Sequence, residues 1–334
     1  MPKISVIMPI YNTNPTHLKR AIQSILSQTF IDFEFLILND SPKNLELDKV
    51  VTGFKDNRIK YIKSEYNLGV AEAHNRLLKM ATGKYIAIMD HDDISLPKRF
   101  EKQYIYMESH EEVGICGTAY RRFGKLLKMK TVHHPEDGKM IQASLLFNCP
   151  IHHPSSMIRR SILTRFGITY DKQFISLNDR KLYWDISKHA ELHNLPNILY
   201  KYRMHPLMTS KVRRQEIMNE QLQYRESLLR KYGVSLTPEE HNILNAYILN
   251  GRCRVNSADI LFKIDRILQK LVEENHLHHF ADEEAFKKVC ACYLIKRCKN
   301  AALKGFVSSK EVLDKTCFPV QIPYWLKLFN RIKK

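Results

Sequence analysis

Glycine is scarce in this chain, with 11 in 334 residues. That excludes collagen-like repeats, glycine-rich linkers and many small β-repeat folds. No stretch approaches about 18 consecutive apolar residues, so no membrane-spanning helix is expected. Cysteine is neither dense nor regularly paired: seven are scattered at positions 116, 149, 253, 290, 292, 298 and 317. An odd, irregular set in a chain of this size argues against a disulfide framework and fits reduced thiols. Cys290, Cys292 and Cys298 lack structural-zinc spacing, although His276, His278 and His279 stand near them; helix packing is the simpler reading. No G-x-G-x-x-G follows the first strand and no G-x-x-x-x-G-K-[ST] occurs. Rossmann dinucleotide binding and P-loop chemistry are therefore unsupported.

Acid is also in deficit. Lys and Arg number 53 against 35 Asp and Glu, leaving a net charge of +18. Residues 290–334 carry ten basic residues against two acids, residues 212–289 balance, and residues 1–211 hold the remaining excess. Such a balance suits nucleic acid, an anionic membrane or a phosphorylated substrate, or is simply a solvated basic surface. Apolar content of 44% and charged content of 26% are those of a globular protein, not a disordered one.

The first 120 or so residues alternate strand and helix signals. ISVIMPI, near the N-terminus, reads as a strand and not as a signal peptide, because its short apolar run is broken by Pro9. Thr16 to Gln28 has helical spacing at Leu18, Ile22, Ile25 and Leu26, with Thr16 as the expected cap. FEFLILND, IKYIKSE and KYIAIMD read as further strands, with a helix over Val70–Ala81. Strands separated by helices imply a doubly wound, mainly parallel α/β sheet. Ligands in such sheets sit beyond the carboxyl ends of the strands. That rule selects Tyr11-Asn12, Asn39-Asp40 and Asp90-His91-Asp92-Asp93.

The acidic cluster is the most informative of these. Three carboxylates within four residues after an apolar strand repel one another, and a divalent cation relieves the repulsion. Carboxylate oxygens suit Mg²⁺ or Mn²⁺. A cation there can neutralise charge on a departing nucleoside diphosphate. The plainer reading is a solvated turn in which Asp93 caps a helix starting near Pro97.

An ordered series of segments adds to this reading. It runs Ser5-Val6-Ile7-Met8-Pro9-Ile10-Tyr11-Asn12, Ser24-Ile25-Leu26-Ser27-Gln28-Thr29-Phe30, Leu38-Asn39-Asp40-Ser41, and Asn67-Leu68-Gly69 with Asn75. Gly83-Lys84-Tyr85-Ile86 then leads to the acidic cluster and Pro97. Asn148-Cys149-Pro150-Ile151-His152-His153 precedes Ser156-Met157-Ile158-Arg159, and Asn178-Asp179, Trp184, Asn194-Leu195-Pro196 and Tyr202-Arg203-x-His205 follow. Over residues 3–210 the chain resembles the inverting nucleotide-sugar glycosyltransferases of family 2, which have the GT-A fold. Within that family it looks most like bacterial enzymes that extend lipooligosaccharide or related surface glycans.

The resemblance implies roles at matching positions. Pro9, Tyr11 and Asn12 would line the nucleotide base, and Asp40 would accept the uracil N3–H. Gly69 and Asn75 would line the nucleotide pocket, with Asp90 near the ribose and His91 beside it. Asp92 would contact Mn²⁺ or Mg²⁺ with His205, and Arg203 would lie near the donor phosphates. Asp179 matches the catalytic base, although Asn178 stands where the family usually has Glu. His152, His153 and Trp184 would line the acceptor side. The implied activity is metal-dependent transfer of a hexose or N-acetylhexosamine from a UDP-sugar to a glycan or glycolipid, forming a β-linkage. An inactive module of the same fold that binds nucleotide-sugar or glycan is the alternative. No nucleic-acid partner is implied, and the oligomeric state is left open.

After about residue 212 helical periodicity takes over, at Arg214–Tyr232, Thr237–Leu249, Ala258–Asn275 and Asp282–Lys304. The expected division is a catalytic domain over 1–211 and a helical domain over 212–334. At the end of the chain, Trp325, Leu328, Phe329 and Ile332 make an apolar stripe opposite Lys327, Arg331 and Lys334. That is the pattern of a helix lying in a membrane interface, or of one that docks its stripe on its own protein. The expected location is cytoplasmic, peripherally attached to the inner face of the inner membrane.

Overall fold

The computed structural model describes residues 1–124, 129–206, 212–249, 255 and 257–302. The amphipathic tail over 321–334 and Cys253 and Cys317 lie outside them. The chain divides into two compact units: residues 1–145 with 149–220, and residues 146–148 with 221–334.

The first unit opens with β1 (Ile4–Ile10), α1 (Pro15–Leu26), β2 (Phe33–Asn39), α2 (Leu45–Thr52), β3 (Ile59–Lys63), α3 (Val70–Met80) and β4 (Tyr85–Ile88). Every residue of β2 and β4 is buried, as expected for parallel strands covered on both faces. β3, β2, β1 and β4 lie side by side and pair in parallel. The helix expected after β1 is capped by Asn14, not Thr16. The Asn14 side-chain oxygen accepts from the N–H groups of Thr16 at 3.0 Å and His17 at 3.2 Å. Pro15 takes the first helical position, where its missing N–H would have had no partner.

The unit continues with β5 (Ile94–Ser95), α4 (Arg99–Ser109), β6 (Val113–Phe123), β7 (Lys130–Val132), α5 (Gly138–Ser144), β8 (Met157–Arg159), α6 (Arg160–Phe166), α7 (Asn178–Ile186) and β9 (Glu191–Arg203). The sheet order is β3-β2-β1-β4-β8-β6-β9-β5, with β7 paired to β6. β8 runs antiparallel to both its neighbours, so the sheet becomes mixed beyond β4. Two buried side chains support that change of direction. Arg99 Nη2 donates to the carbonyls of Ile88 and Ser156, and Gln103 Nε2 to those of Cys116 and Ser155.

Two features of β9 position the site. Its pairing to β6 skips from Leu195 to Ile198, so exposed Pro196 and Asn197 bulge out where a proline cannot donate to the ladder. Near its end, Tyr200 and Lys201 pair antiparallel with Ser95 and Ile94 of β5. β5 directly follows the acidic cluster, so this short pairing sets Arg203 and His205 alongside Asp92 and Asp93.

The second unit is helical. α8 (Arg214–Arg230) contains the boundary between the units, and α9 (Pro238–Ile243) runs on into a π-helical turn over Leu244–Leu249. Thr237 and Glu240 form a reciprocal capping box at the start of α9. α10 (Ala258–His278) is capped by Ser257, and α11 (Glu283–Ala302) follows a turn in which His279 is left-handed. Asn275 ties that turn, exchanging two hydrogen bonds with the Ala281 backbone. Cys116, Cys149, Cys290 and Cys292 are free thiols. Among the described residues no helix is long and apolar enough to cross a membrane.

Candidate active site

Three groups of residues gather beyond the carboxyl ends of the strands. The first surrounds a cleft of about 690 Å³ whose lining includes Tyr11, Asn12, Asp40, Ser41, Tyr66 and Asn67. Tyr11 is 52% exposed and presents its ring there. Pro9, half-buried, is the next-to-last residue of β1. Asn12 is left-handed, with φ 43°, a conformation that asparagine tolerates. Its N–H donates to Ser41 Oγ at 2.8 Å, which joins the turns after β1 and β2.

Asp40 is buried and organises the loop after β3. Its carboxylate accepts from the N–H of Leu68 at 2.7 Å, the N–H of Gly69 at 3.0 Å and Asn67 Nδ2 at 3.0 Å. Gly69 stands at φ 79° before α3, where a side chain would be strained. Asn75 is not among the residues that line the cleft. Its side-chain amide exchanges two 2.8 Å hydrogen bonds with the Tyr170 backbone.

The second group is the acidic cluster. Burial pushes the Asp90 carboxyl up to about 7, and the charges of Asp92 and Asp179 add to the effect. Burial lowers the His91 ring below its ordinary value, and its Nδ1 is enclosed without a partner. Asp93 is wholly buried, and its Oδ1 accepts the Arg203 N–H at 2.7 Å. It therefore does not cap the following helix, which starts without a side-chain cap. Arg203 Nε donates to the Asp92 carbonyl at 2.5 Å, while its buried Nη2 has no partner. His205 Nε2 lies 3.0 Å from Asp92 Oδ2.

Among the described residues no group of three or more His, Cys, Asp or Glu side chains is arranged to hold a metal. The Asp92–His205 pair nonetheless suits a hard divalent cation that keeps water and phosphate oxygens as its other ligands. Asp92 and His205 are partly open, at 18% and 34% side-chain exposure, so such ligands have access.

The third group centres on Asp179, in the first turn of α7. Burial raises its carboxyl, while the Arg180 N–H, 2.7 Å from Oδ1, and the Arg180 charge pull it down. Asp179 is close enough to Asp90 to raise that group. The structure thus brings Asp90, Asp92, Asp179, Arg203 and His205 into one neighbourhood.

The expected acceptor-side residues divide. His153 Nε2 is 2.9 Å from the Tyr170 hydroxyl, and burial holds the ring down to about 4, so it is neutral at physiological pH. His152 stacks on Tyr120 at 3.9 Å and stands edge-on to Tyr202, with Nε2 enclosed and unpartnered. Tyr202 feels the charges of the acidic cluster, so His152 stands one ring behind it. Trp184 is only 4% exposed, with Lys188 Nζ 4.3 Å from its ring centroid, and is not brought to an open surface.

Sequence reasoning missed His17. Burial lowers its pKa, and Arg203, Asp92, His205 and Arg20 all act on it, which sets α1 beside the Asp92–His205 pair. It also missed Tyr170 and Glu220, for which no local signal exists.

Residues 5–167 match the family described as Glycosyl transferase family 2. The chain belongs to that family. It is 34% identical over 209 residues to an uncharacterized glycosyltransferase of Methanocaldococcus jannaschii, covering 61% of this chain and 71% of that one. It is 31% identical over 203 residues to the Escherichia coli UDP-Glc:alpha-D-GlcNAc-diphosphoundecaprenol beta-1,3-glucosyltransferase WfgD, covering 60% and 77%. Among solved structures, Staphylococcus aureus TarS 1–349 in complex with UDP-GlcNAc matches with a TM-score of 0.58 at 16% identity, covering 91% and 92%. The fold of this glycosyltransferase is GT-A, with the acidic cluster after its fourth strand.

Proposed function

We propose that this family 2 glycosyltransferase is an inverting enzyme that moves a hexose or N-acetylhexosamine from a UDP-sugar to a lipid-linked surface glycan. The observation that carries the reading is Asp179: a carboxylate with a raised pKa, next to Asp90, at the end of the sheet where the cleft and the Asp92–His205 pair lie. Raising a carboxyl's pKa makes its carboxylate a stronger proton acceptor.

In the proposed reaction the acceptor hydroxyl attacks the anomeric carbon as Asp179 takes its proton. The new C–O bond forms on the face opposite the diphosphate, and the nucleoside diphosphate leaves with the electron pair of the broken bond. The product is therefore β from an α-linked donor. Tyr11 stacks on the base, and Arg203, with its unpartnered Nη2, donates to the diphosphate. Asp92 and His205 would hold Mn²⁺ or Mg²⁺, which supplies positive charge to the leaving group when bound. The relative WfgD is named for a UDP-Glc donor and an undecaprenol-linked acceptor, which supports the donor and acceptor classes.

A lipid-linked acceptor also supports peripheral attachment at the cytoplasmic face of the inner membrane. Residues 290–334 are strongly basic, and each basic residue near an anionic leaflet contributes about 1 kcal/mol. The full-length protein should bind anionic liposomes at low salt, and removing residues 321–334 should release it. The proposed domain division, 1–211 and 212–334, puts the proposed base, the Asp92–His205 pair and the cleft in the first part.

The test of the base is Asp179→Asn in the full-length protein. UDP binding should persist while transfer falls at least about 10²-fold. Wild-type transfer by this variant would rule out Asp179 as the base.

A further inference from the structure

We infer that Asn75 and Glu220 are positioning residues for Asp179, acting through a strap of chain over residues 170–176. The inference rests on the proposed role of Asp179 as base. The strap contains neither strand nor helix; Asp171 satisfies the Gln173 and Phe174 N–H groups within it, and its two ends take partners from outside. Two buried side chains supply them. Asn75 on α3 exchanges two 2.8 Å hydrogen bonds with the N–H and C=O of Tyr170. Glu220 on α8 accepts the Ile175 N–H at 2.9 Å on one oxygen and the Ser176 N–H at 2.8 Å on the other.

Asn75 is 6% exposed and Glu220 is 8% exposed, so water does not readily replace either partner. Both strap ends are thus pinned, one to a helix of the nucleotide side and one to the helix that follows β9. Tyr170 adds a third hold: its ring packs on His74 at 4.8 Å and its hydroxyl meets His153.

The strap leads directly into the base. Leu177 follows it, and the Leu177 carbonyl accepts the Lys181 N–H at 3.0 Å as α7 begins. Asp179 lies three residues beyond Ser176, in that first turn. Moving the strap therefore moves the carboxylate. Tyr170 is also near enough to Asp179 and Asp90 for their charges to oppose its ionisation. A base must stand within hydrogen-bond reach of the hydroxyl it deprotonates, and a displacement of about 1 Å lowers a rate about 10²-fold. Loss of one pin should act on the transfer step rather than on nucleotide binding.

The decisive variant is Glu220→Gln, which leaves one acceptor oxygen for two N–H groups. UDP release would be followed in the full-length protein with UDP-glucose, UDP-galactose, UDP-GlcNAc and UDP-GalNAc. Hydrogen exchange across residues 168–181 would be measured in parallel. The expected result is a kcat at least about 10-fold lower with unchanged UDP affinity and faster exchange at Ile175, Ser176 and the first turn of α7. Asn75→Asp, which keeps the acceptor for the Tyr170 N–H and loses the donor, should lower kcat in the same way. Combined with Asp179→Asn, Glu220→Gln should cause no further loss, because both act on one step.

Wild-type kcat in Glu220→Gln and Asn75→Asp would overturn the strap while leaving the base intact. Losses that multiply with that of Asp179→Asn would overturn it too. Should Glu220→Gln not fold, Asn75→Asp and the exchange measurement carry the decision alone. Full activity in Asp179→Asn would instead remove the base assignment, and the strap with it.

Discussion

The two halves of the sheet deliver their functional residues by different routes. On the parallel half, each one directly follows a strand: Tyr11 and Asn12 after β1, Asp40 after β2, and the acidic cluster after β4. Beyond β4 they arrive through contacts distant in sequence. Arg203 and His205 reach the acidic cluster because β9 pairs with β5, and the strap before Asp179 is held by Asn75 and Glu220. On the proposed function, the side that would hold the nucleotide is set mainly by strand ends, with Asp40 and Ser41 tying neighbouring turns, whereas the proposed base depends on more distant contacts. The first should tolerate distant changes, and the second should respond to them.

The largest expected effect comes where the two routes meet. Asp92→Ala removes the local member of the Asp92–His205 pair, and His205→Ala removes the distant one. Transfer should fall at least about 10²-fold in the first, and excess EDTA should silence the wild type. Full activity in EDTA would break the metal reading of this junction.

Tyr11→Ala sharpens the comparison next. The exposed ring at the cleft belongs wholly to the parallel half. Its loss should weaken UDP binding by about 1–3 kcal/mol, the range for one base on an aromatic ring, with little change in kcat. Calorimetry with UDP against turnover at saturating donor separates the two. A fall in kcat with unchanged UDP affinity would blur the distinction between the halves.

Asp90 gives a smaller, pH-dependent effect on stability. Its folded pKa, about 7, lies above the ordinary carboxylate value of 3.8. The unfolded chain therefore releases this proton first as pH rises. The stability that protonated Asp90 contributes is full below 3.8 and is lost as pH rises through about 7. Asp90→Asn should raise the melting temperature at pH 8 relative to wild type and change it little at pH 4, without added divalent cation. An equal change at both values would contradict the burial of this charge.

The smallest effect is the cap of α1. Asn14→Ala should destabilise the protein by about 1 kcal/mol in chemical denaturation. Thr16→Ala should cost less, because the Thr16 side chain does not cap the helix.

These contrasts also mark how much was legible in the sequence. β1, β2 and β4 announce themselves as short apolar runs, and their ends name Tyr11, Asp40 and Asp90 to Asp93 without any knowledge of packing. The helices over 214–302 were legible by period, with the Thr237 cap and its acids in place. Asn14 was missed because Thr16, two residues later, is also a capping type. The antiparallel turn of the sheet at β8 was not legible, since a three-residue strand carries too little pattern to show its direction. Asn75 matches a family position, yet its partner, Tyr170, is 95 residues away. Glu220 sits in a charged helix with nothing local to set it apart from its neighbours. His17 likewise lies on a polar helix face, and only the tertiary approach of Arg203 and His205 gives it meaning.

The central claim is that Asp179 serves as the single base of an inverting transfer. The stereochemistry of the product tests it most directly. The full-length protein would be incubated with an α-linked UDP-sugar and a glycolipid acceptor, and the anomeric proton of the new linkage read by NMR. The account predicts a β-linkage, lost in Asp179→Asn. An α-linked product would contradict it.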